Sequence, residues 1–153
     1  MIVSAPATPA IEPPITLGEF WPAIDPVDIR EAQRIDNTVT PARLRAAIIE
    51  AAATTVEALA EWKIAMIEAG ETSLAEISAV TIDDESVLVH RFRRAVGSLS
   101  KALLLERLRD FDSTAKGDKK ADALTDPIDD CRRDHHFALA GIVGRPRSTI
   151  ELI

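Results

Sequence analysis

Residues 83–112 read DDESVLVHRFRRAVGSLSKALLLERLRDFD, and this proline-free stretch decides the fold. Leu88, Phe92, Val96, Leu99 and Leu103 recur at steps of three and four, and Leu104, Leu108 and Phe111 continue the series. That spacing is the period of an α-helix. Asp83 or Asp84 is placed to cap its start, and Glu85 falls in the first turn, where the helix dipole favours anions. A helix over 84–112 is roughly 45 Å long at 1.5 Å per residue, far beyond the average helix. The rest of the chain reads as material packed against this rod.

Two further long helices flank it. Thr40-Pro41 is a cap followed by a first-position proline. The helix it opens runs to about residue 69, where Gly70 stops it. Leu44, Ile48, Ala51, Leu59, Trp62 and Met66 form one apolar stripe, and Ile49, Ala52, Val56, Ala60 and Ile67 a second. At about 100° per residue the two cover nearly half the circumference. One partner helix needs less, so this helix is expected to touch its own bundle and a neighbouring subunit, with Ile49, Val56 and Ile67 as interface candidates. Glu50, Glu57, Glu61 and Glu68 line the other face. They are either a solvated face or an acidic wall turned toward something negative that must not stick.

The last helix is expected over 118–142, after a break at 112–118 that pivots on Gly117. Its seam is Ala121, Leu124, Ile128, Cys131, His135, Ala138 and Ile142, a heptad pattern that signals antiparallel bundle packing. Pro127 should kink this helix or split it. Asp25-Pro26 opens a short helix to about Ile35, and Phe20 and Trp21 just before it read as core anchors. A single turn is possible over Ser73–Ile77.

The two ends differ from this middle. Residues 1–18 hold Pro6, Pro9, Pro13 and Pro14, which precludes a regular helix. The segment is either a dispensable tail or an arm whose Ile2, Val3, Ile11 and Ile15 order against a neighbour. At the other end Thr149–Ile153 resembles a strand with no partner in the chain, which suggests pairing with the edge of another polypeptide. The predicted fold is therefore all-α. It is a helical bundle built on long helices at about 41–69, 84–112 and 118–142, with a short N-terminal helix. An extended N-terminal arm covers 1–19, the bundle domain 20–144, and a strand-like C-terminal docking arm 145–153.

Composition bounds the function. A chain of 153 residues can bury one core. Its single Cys excludes an internal disulfide framework and suits a reducing compartment. The net charge of −7 argues against a protein that coats nucleic acid. No apolar run approaches the ~20 residues of a membrane span, and the N-terminus lacks a signal-peptide pattern. The expectation is a soluble protein made in the cytosol.

Catalytic chemistry finds little support. Cys131 and His135 lie one turn apart, but a metal site needs three or four ligands, and His90 is on another helix. Core packing fits the pair better than a metal site or a nucleophile–base pair. The carboxylates Asp110, Asp112, Asp118, Asp122, Asp126, Asp129 and Asp130 show no acid–base geometry, and no glycine loop cradles phosphate. No cofactor or metal is expected.

The segments FWPAIDP, TVTPARLRAAI, DDESVLVHRFRRAV, LLLERLRDFDSTAKGDKKADAL and GRPRSTIELI occur in this order across residues 20–153. Together they resemble the head completion/stabilisation proteins of temperate contractile-tailed phages, the GPL family. The resemblance implies a non-enzymatic virion protein at the head–tail junction, made in the bacterial host. Such a protein joins the head after DNA packaging, binds the portal protein, holds the DNA in and carries the neck or tail completion protein. Related adaptors are helical bundles in twelve-fold rings whose C-terminal arms dock on the portal. Packaged DNA would lie nearby without sequence-specific binding. On this reading Arg145, Pro146, Arg147, Thr149, Ile150, Leu152 and Ile153 form the portal-docking arm. Glu50, Glu57, Glu61 and Glu68 face the channel, repelling phosphate. The competing reading is a monomeric helical interaction or regulatory module that binds a host or phage protein.

Overall fold

The computed structural model describes residues 12–113 and 118–146. Six α-helices carry the fold: α1 Pro26–Ala32, α2 Pro41–Ala58, α3 Ala60–Glu68, α4 Val87–Ser113, α5 Asp118–Ala123 and α6 Thr125–Val143. A 3-10 turn at Leu74–Glu76 and an antiparallel hairpin, β1 Thr81–Ile82 with β2 Glu85–Ser86, connect α3 to α4. The rod α4 is the common partner of the others, packing most extensively on α6 and then on α2, with α1 and α5 also against it.

Local chemistry explains most of the starts and stops. The Asp25 carboxylate accepts from the Val27 amide at 2.9 Å, and Thr40 Oγ1 accepts from the Arg43 amide at 3.3 Å, each with proline next in the chain. Gly70 and Gly144 follow α3 and α6 at φ 97° and 74°, a left-handed turn that glycine makes without steric cost. Arg34 takes φ 54° instead, and α1 therefore stops at Ala32, short of the expected Ile35.

The core forms where α4 meets the N-terminal segment and α2. Phe92, Val96 and Leu99 are buried with Leu44, Ile48, Ala51 and Leu59. The Trp21 indole stacks on Phe92 with centroids 4.9 Å apart and planes 10° from parallel, while Phe20 meets Trp21 edge-on at 4.8 Å. Phe20 and Trp21 are thus core anchors, as expected. Ile15 and Ile24 exchange backbone hydrogen bonds at 2.7 and 2.9 Å, and Arg45 donates to the Pro13 carbonyl at 2.7 Å. Ile15, read from sequence as a possible contact for a neighbour, is buried in its own chain's core. Ile2, Val3 and Ile11 lie outside the described residues.

Three boundaries depart from the sequence reading. The central helix begins at Val87, not residue 84. Asp83 and Asp84 do not cap it: at φ 52° and 56° they form the two-residue turn between β1 and β2. Such a turn requires positive φ at both central residues, and aspartate tolerates that better than most residue types. Ser86 takes over as the cap, accepting from the Leu88 amide at 3.2 Å. The helix expected over 41–69 breaks at Leu59 into α2 and α3. Buried Thr55 donates its hydroxyl to the Ala51 carbonyl at 2.7 Å, and the Leu59 amide is shared between Thr55 and Val56 at 3.2 and 3.3 Å. Threonine back-bonding of this kind bends helices. The helix expected over 118–142 divides at Leu124. Pro127, which lacks an N–H, collides with the carbonyl four residues back, that of Ala123, so the break falls ahead of the proline. The seam itself holds: Ala121, Ile128, His135, Ala138 and Ile142 are buried, and Leu124 and Cys131 half-buried.

Gly97 sets how close α1 comes to α4. A Cβ there would lie 3.1 Å from Gln33 Nε2 and 3.2 Å from Ile29 Cδ1. One turn on, Lys101 Nζ donates to the Gln33 carbonyl at 2.7 Å. Gly97→Val should overpack this contact and cost about 1–3 kcal/mol in urea denaturation. Gly97→Ala should be far milder, because the Gln33 side chain can shift and the glycine penalty of about 1 kcal/mol is relieved. Equal stability of the valine variant and the native chain would show that the approach does not matter.

Candidate functional site

An exposed apolar surface runs along α2 and α3. Ile49, Ile64 and Ile67 are 50%, 57% and 50% exposed. At about 100° per residue they share one face, and Glu50, Glu57, Glu61 and Glu68 lie about a quarter-turn further round. All four glutamates are exposed. Among the described residues none of them is in an ion pair. Within α3, Ile64 and Ile67 therefore lie beside Glu61 and Glu68, and within α2 Ile49 lies beside Glu50 and Glu57. The first sequence stripe turns inward: Leu44, Ile48, Ala51 and Leu59 are buried, and Trp62 and Met66 are packed against them. Of the second, Ala52 is buried and Val56 rests partly against its own core, so Val56 offers a neighbour less than Ile49 and Ile67 do. Ile64 was assigned to neither stripe, although its angular position between Ile67 and Glu57 marks it.

A second apolar patch lies at the far end of α4. Leu108 and Phe111, expected to continue the core stripe, are 50% and 72% exposed. The companion helix α5 is only six residues long, and among its described side chains only the small Ala121 is buried. Arg107, Lys119 and Lys120 are exposed at this end, together with Asp110 and Asp122.

The C-terminal arm starts where α6 stops. Gly144 turns the chain, the Arg145 amide bonds to the Ala140 carbonyl at 2.9 Å, and Arg145 and Pro146 are exposed. Arg147, Thr149, Ile150, Leu152 and Ile153 lie outside the described residues.

The cations in the first half of α4 are engaged within the chain. Arg91 donates to the Gly141 carbonyl at 2.8 Å, Arg93 pairs with Glu85 at 2.5 Å, and Arg94 meets Asp134 at 3.2 Å. His90 bonds the Ile82 carbonyl at 2.8 Å. The seam between α4 and α6 is similarly committed. Buried His135 uses Nδ1 to bond the Ala95 carbonyl at 2.9 Å. Burial holds its pKa below the ordinary value, with that hydrogen bond opposing and the charges of His136 and Arg132 assisting. Burial also pushes the Cys131 thiol up, so Cys131 is a neutral thiol packed beside the core. Among the described residues no three His, Cys, Asp or Glu side chains gather to hold a metal ion. No described helix is long and apolar enough to cross a membrane.

The described residues form a helical fold with exposed apolar side chains on α2, α3 and α4, and the comparisons with known proteins supply its class. The family model for the phage head completion protein (GPL) matches residues 15–153. The head completion/stabilization protein of Escherichia phage P2 is 45% identical over 142 residues, covering 93% of this chain and 84% of that one. The chain belongs to the phage head completion protein family, and its role is structural. No solved structure matches it.

Proposed function

We propose that this protein binds the portal vertex of the DNA-filled head, stabilises the filled head there, and presents the platform on which the neck or tail completion protein docks. Subunits of the chain assemble side by side as a ring on the portal, with twelve as the expected number. The reading rests first on family membership across residues 15–153. The observation that carries the docking mode is the C-terminal exit: Gly144 turns the chain out of the bundle at φ 74°, and Arg145 and Pro146 are exposed. The arm 145–153 then reaches the portal, where Arg145 and Arg147 pair with acidic side chains. Thr149, Ile150, Leu152 and Ile153 add a short strand to a portal sheet edge, with backbone hydrogen bonds supplying affinity and alternate side chains supplying specificity.

Deleting residues 147–153 tests this directly. On this reading the arm leaves the bundle at Gly144, so the truncated chain should keep its helical circular dichroism and its melting temperature. It should fail to bind filled heads in co-sedimentation. Undiminished binding by a folded truncated chain would refute the docking arm.

A further inference from the structure

Helix α3 is short of cover. Its sequence AEWKIAMIE sets Ala60, Trp62, Ile64, Ala65, Met66 and Ile67 around the whole circumference, at about 100° per residue. A helix that is apolar on every side is normally enclosed by its neighbours. Here no residue of α3 is buried. Trp62 and Met66 rest partly against the core, whereas Ile64 and Ile67 stand 57% and 50% exposed. One side of the helix is served by its own chain, and the other has no cover among the described residues.

Charge narrows the occupant. Glu61 and Glu68 flank Ile64 and Ile67 on α3, and Glu57 stands one turn earlier, in the last turn of α2. All three are exposed and in no ion pair among the described residues. Glu19, next to Phe20, is exposed and adds the same sign. Lys63 is the one Lys or Arg between Arg45 and Arg91. Its Nζ lies 5.4 and 6.0 Å from the ring centroids of the buried Phe20 and Trp21, so it is turned to the core and not to the outer glutamates. Two copies meeting through this face would bring glutamates against glutamates, which is costly at an interface. The complement is a surface with arginine or lysine beside apolar side chains.

Position narrows it further. Trp21 stacks on Phe92, and Arg91 donates to the Gly141 carbonyl. Lys63 and the end of α6 therefore both lie toward the beginning of α4, and the C-terminal arm leaves the bundle there, at Gly144. We propose that α3 is a second docking point on the portal and receives a basic amphipathic segment of the portal protein. Apolar side chains of that segment pack on Ile64 and Ile67, and its arginines or lysines pair with Glu61 and Glu68. The proposal rests on the portal reading above and specifies a contact that the arm does not make. It also sets Glu61 and Glu68 against the portal instead of on the channel wall.

Binding to purified portal rings, together with hydrogen exchange, is the test. Two double variants are compared with the native chain and with the chain lacking 147–153: Ile64→Gln with Ile67→Gln, and Glu61→Lys with Glu68→Lys. All four side chains are exposed, so both variants should keep the native helical circular dichroism. Each should bind the rings about tenfold more weakly or worse, the loss of one good interface anchor. Binding by the native chain should weaken as salt rises, and the lysine variant should lose most of that dependence. In the native chain the α3 amides should exchange more slowly once rings are added, a readout that does not depend on any variant. Native-like binding by either variant, or α3 exchange that the rings leave unchanged, would overturn the proposal; if the truncated chain still fails to bind, the arm reading stands alone. Weakened binding by both variants with undiminished binding by the truncated chain would keep the α3 contact and remove the arm. Slowing of α3 exchange with protein concentration alone would assign the face to a second copy and overturn the proposal. Rings that bind no chain at all would overturn this contact and the portal reading together.

Discussion

Phe92→Ala is expected to destabilise the protein by about 3–5 kcal/mol, the usual range for emptying a buried phenylalanine site. For a chain of this size that is a fall in melting temperature of roughly 6–20 °C. The Phe92 ring is fully buried, and it connects two parts of the fold: α4 and the N-terminal segment that holds Trp21. Its loss leaves a cavity beneath the indole and removes an aromatic stack, a contact worth about 0.5–1.5 kcal/mol beyond area. The cut should loosen residues 15–24 as well, because Phe20, Trp21 and Ile24 share this cluster. Phe111→Ala, at a site 72% exposed, should cost much less. Chemical denaturation of both variants checks the pair. Similar losses for the two would mean that α4 is not packed as described.

Acid should weaken the protein through His135, and His135→Asp should weaken it at neutral pH. The buried imidazole bonds the Ala95 carbonyl, so Nδ1 carries the proton and donates. Burial lowers the folded-state pKa below the ordinary 6.5. At neutral pH the ring is neutral in both folded and unfolded chains, and the full stability is present. As pH falls below about 6.5, the unfolded chain takes up a proton that the folded chain refuses, and stability declines until the folded-state pKa is passed. Urea titrations from pH 7 to 5 should show this slope, and His135→Asn, which keeps a donor without titrating, should flatten it. An unchanged slope would assign the acid sensitivity to other groups. His135→Asp replaces the donor with a carboxylate facing a carbonyl oxygen. With no buried partner for the charge, the cost is about 3–5 kcal/mol.

The sequence and structure agree where burial imposes a repeat. The spacing Leu88–Phe92–Val96–Leu99 required a helix face, and those residues are the centre of the core. The α6 seam was legible for the same reason, through to the burial of His135. What escaped was conformation that no repeat encodes. Asp83-Asp84 fits a helix cap and a tight turn equally well by residue type, and strands of two residues are too short to show alternation. The bend at Leu59 depends on which way the Thr55 hydroxyl points. Leu108 and Phe111 keep the helical period, yet nothing in that period says that they would stand 50% and 72% exposed. The acidic line was visible as a line, and the same helical spacing places Ile64 beside it, although its exposure shows only in the structure. The docking surfaces are the least legible part, because a surface that a partner covers looks in one chain's sequence like any other mixed face.

The central claim is that this chain completes the head by assembling at one vertex. Filled heads prepared without the protein, mixed with the purified chain and imaged by electron cryomicroscopy, test it most directly. The account predicts one additional layer of helical subunits on the portal vertex and nowhere else on the shell. Density spread over every vertex, or heads that stay bare while the folded chain remains free, would contradict it.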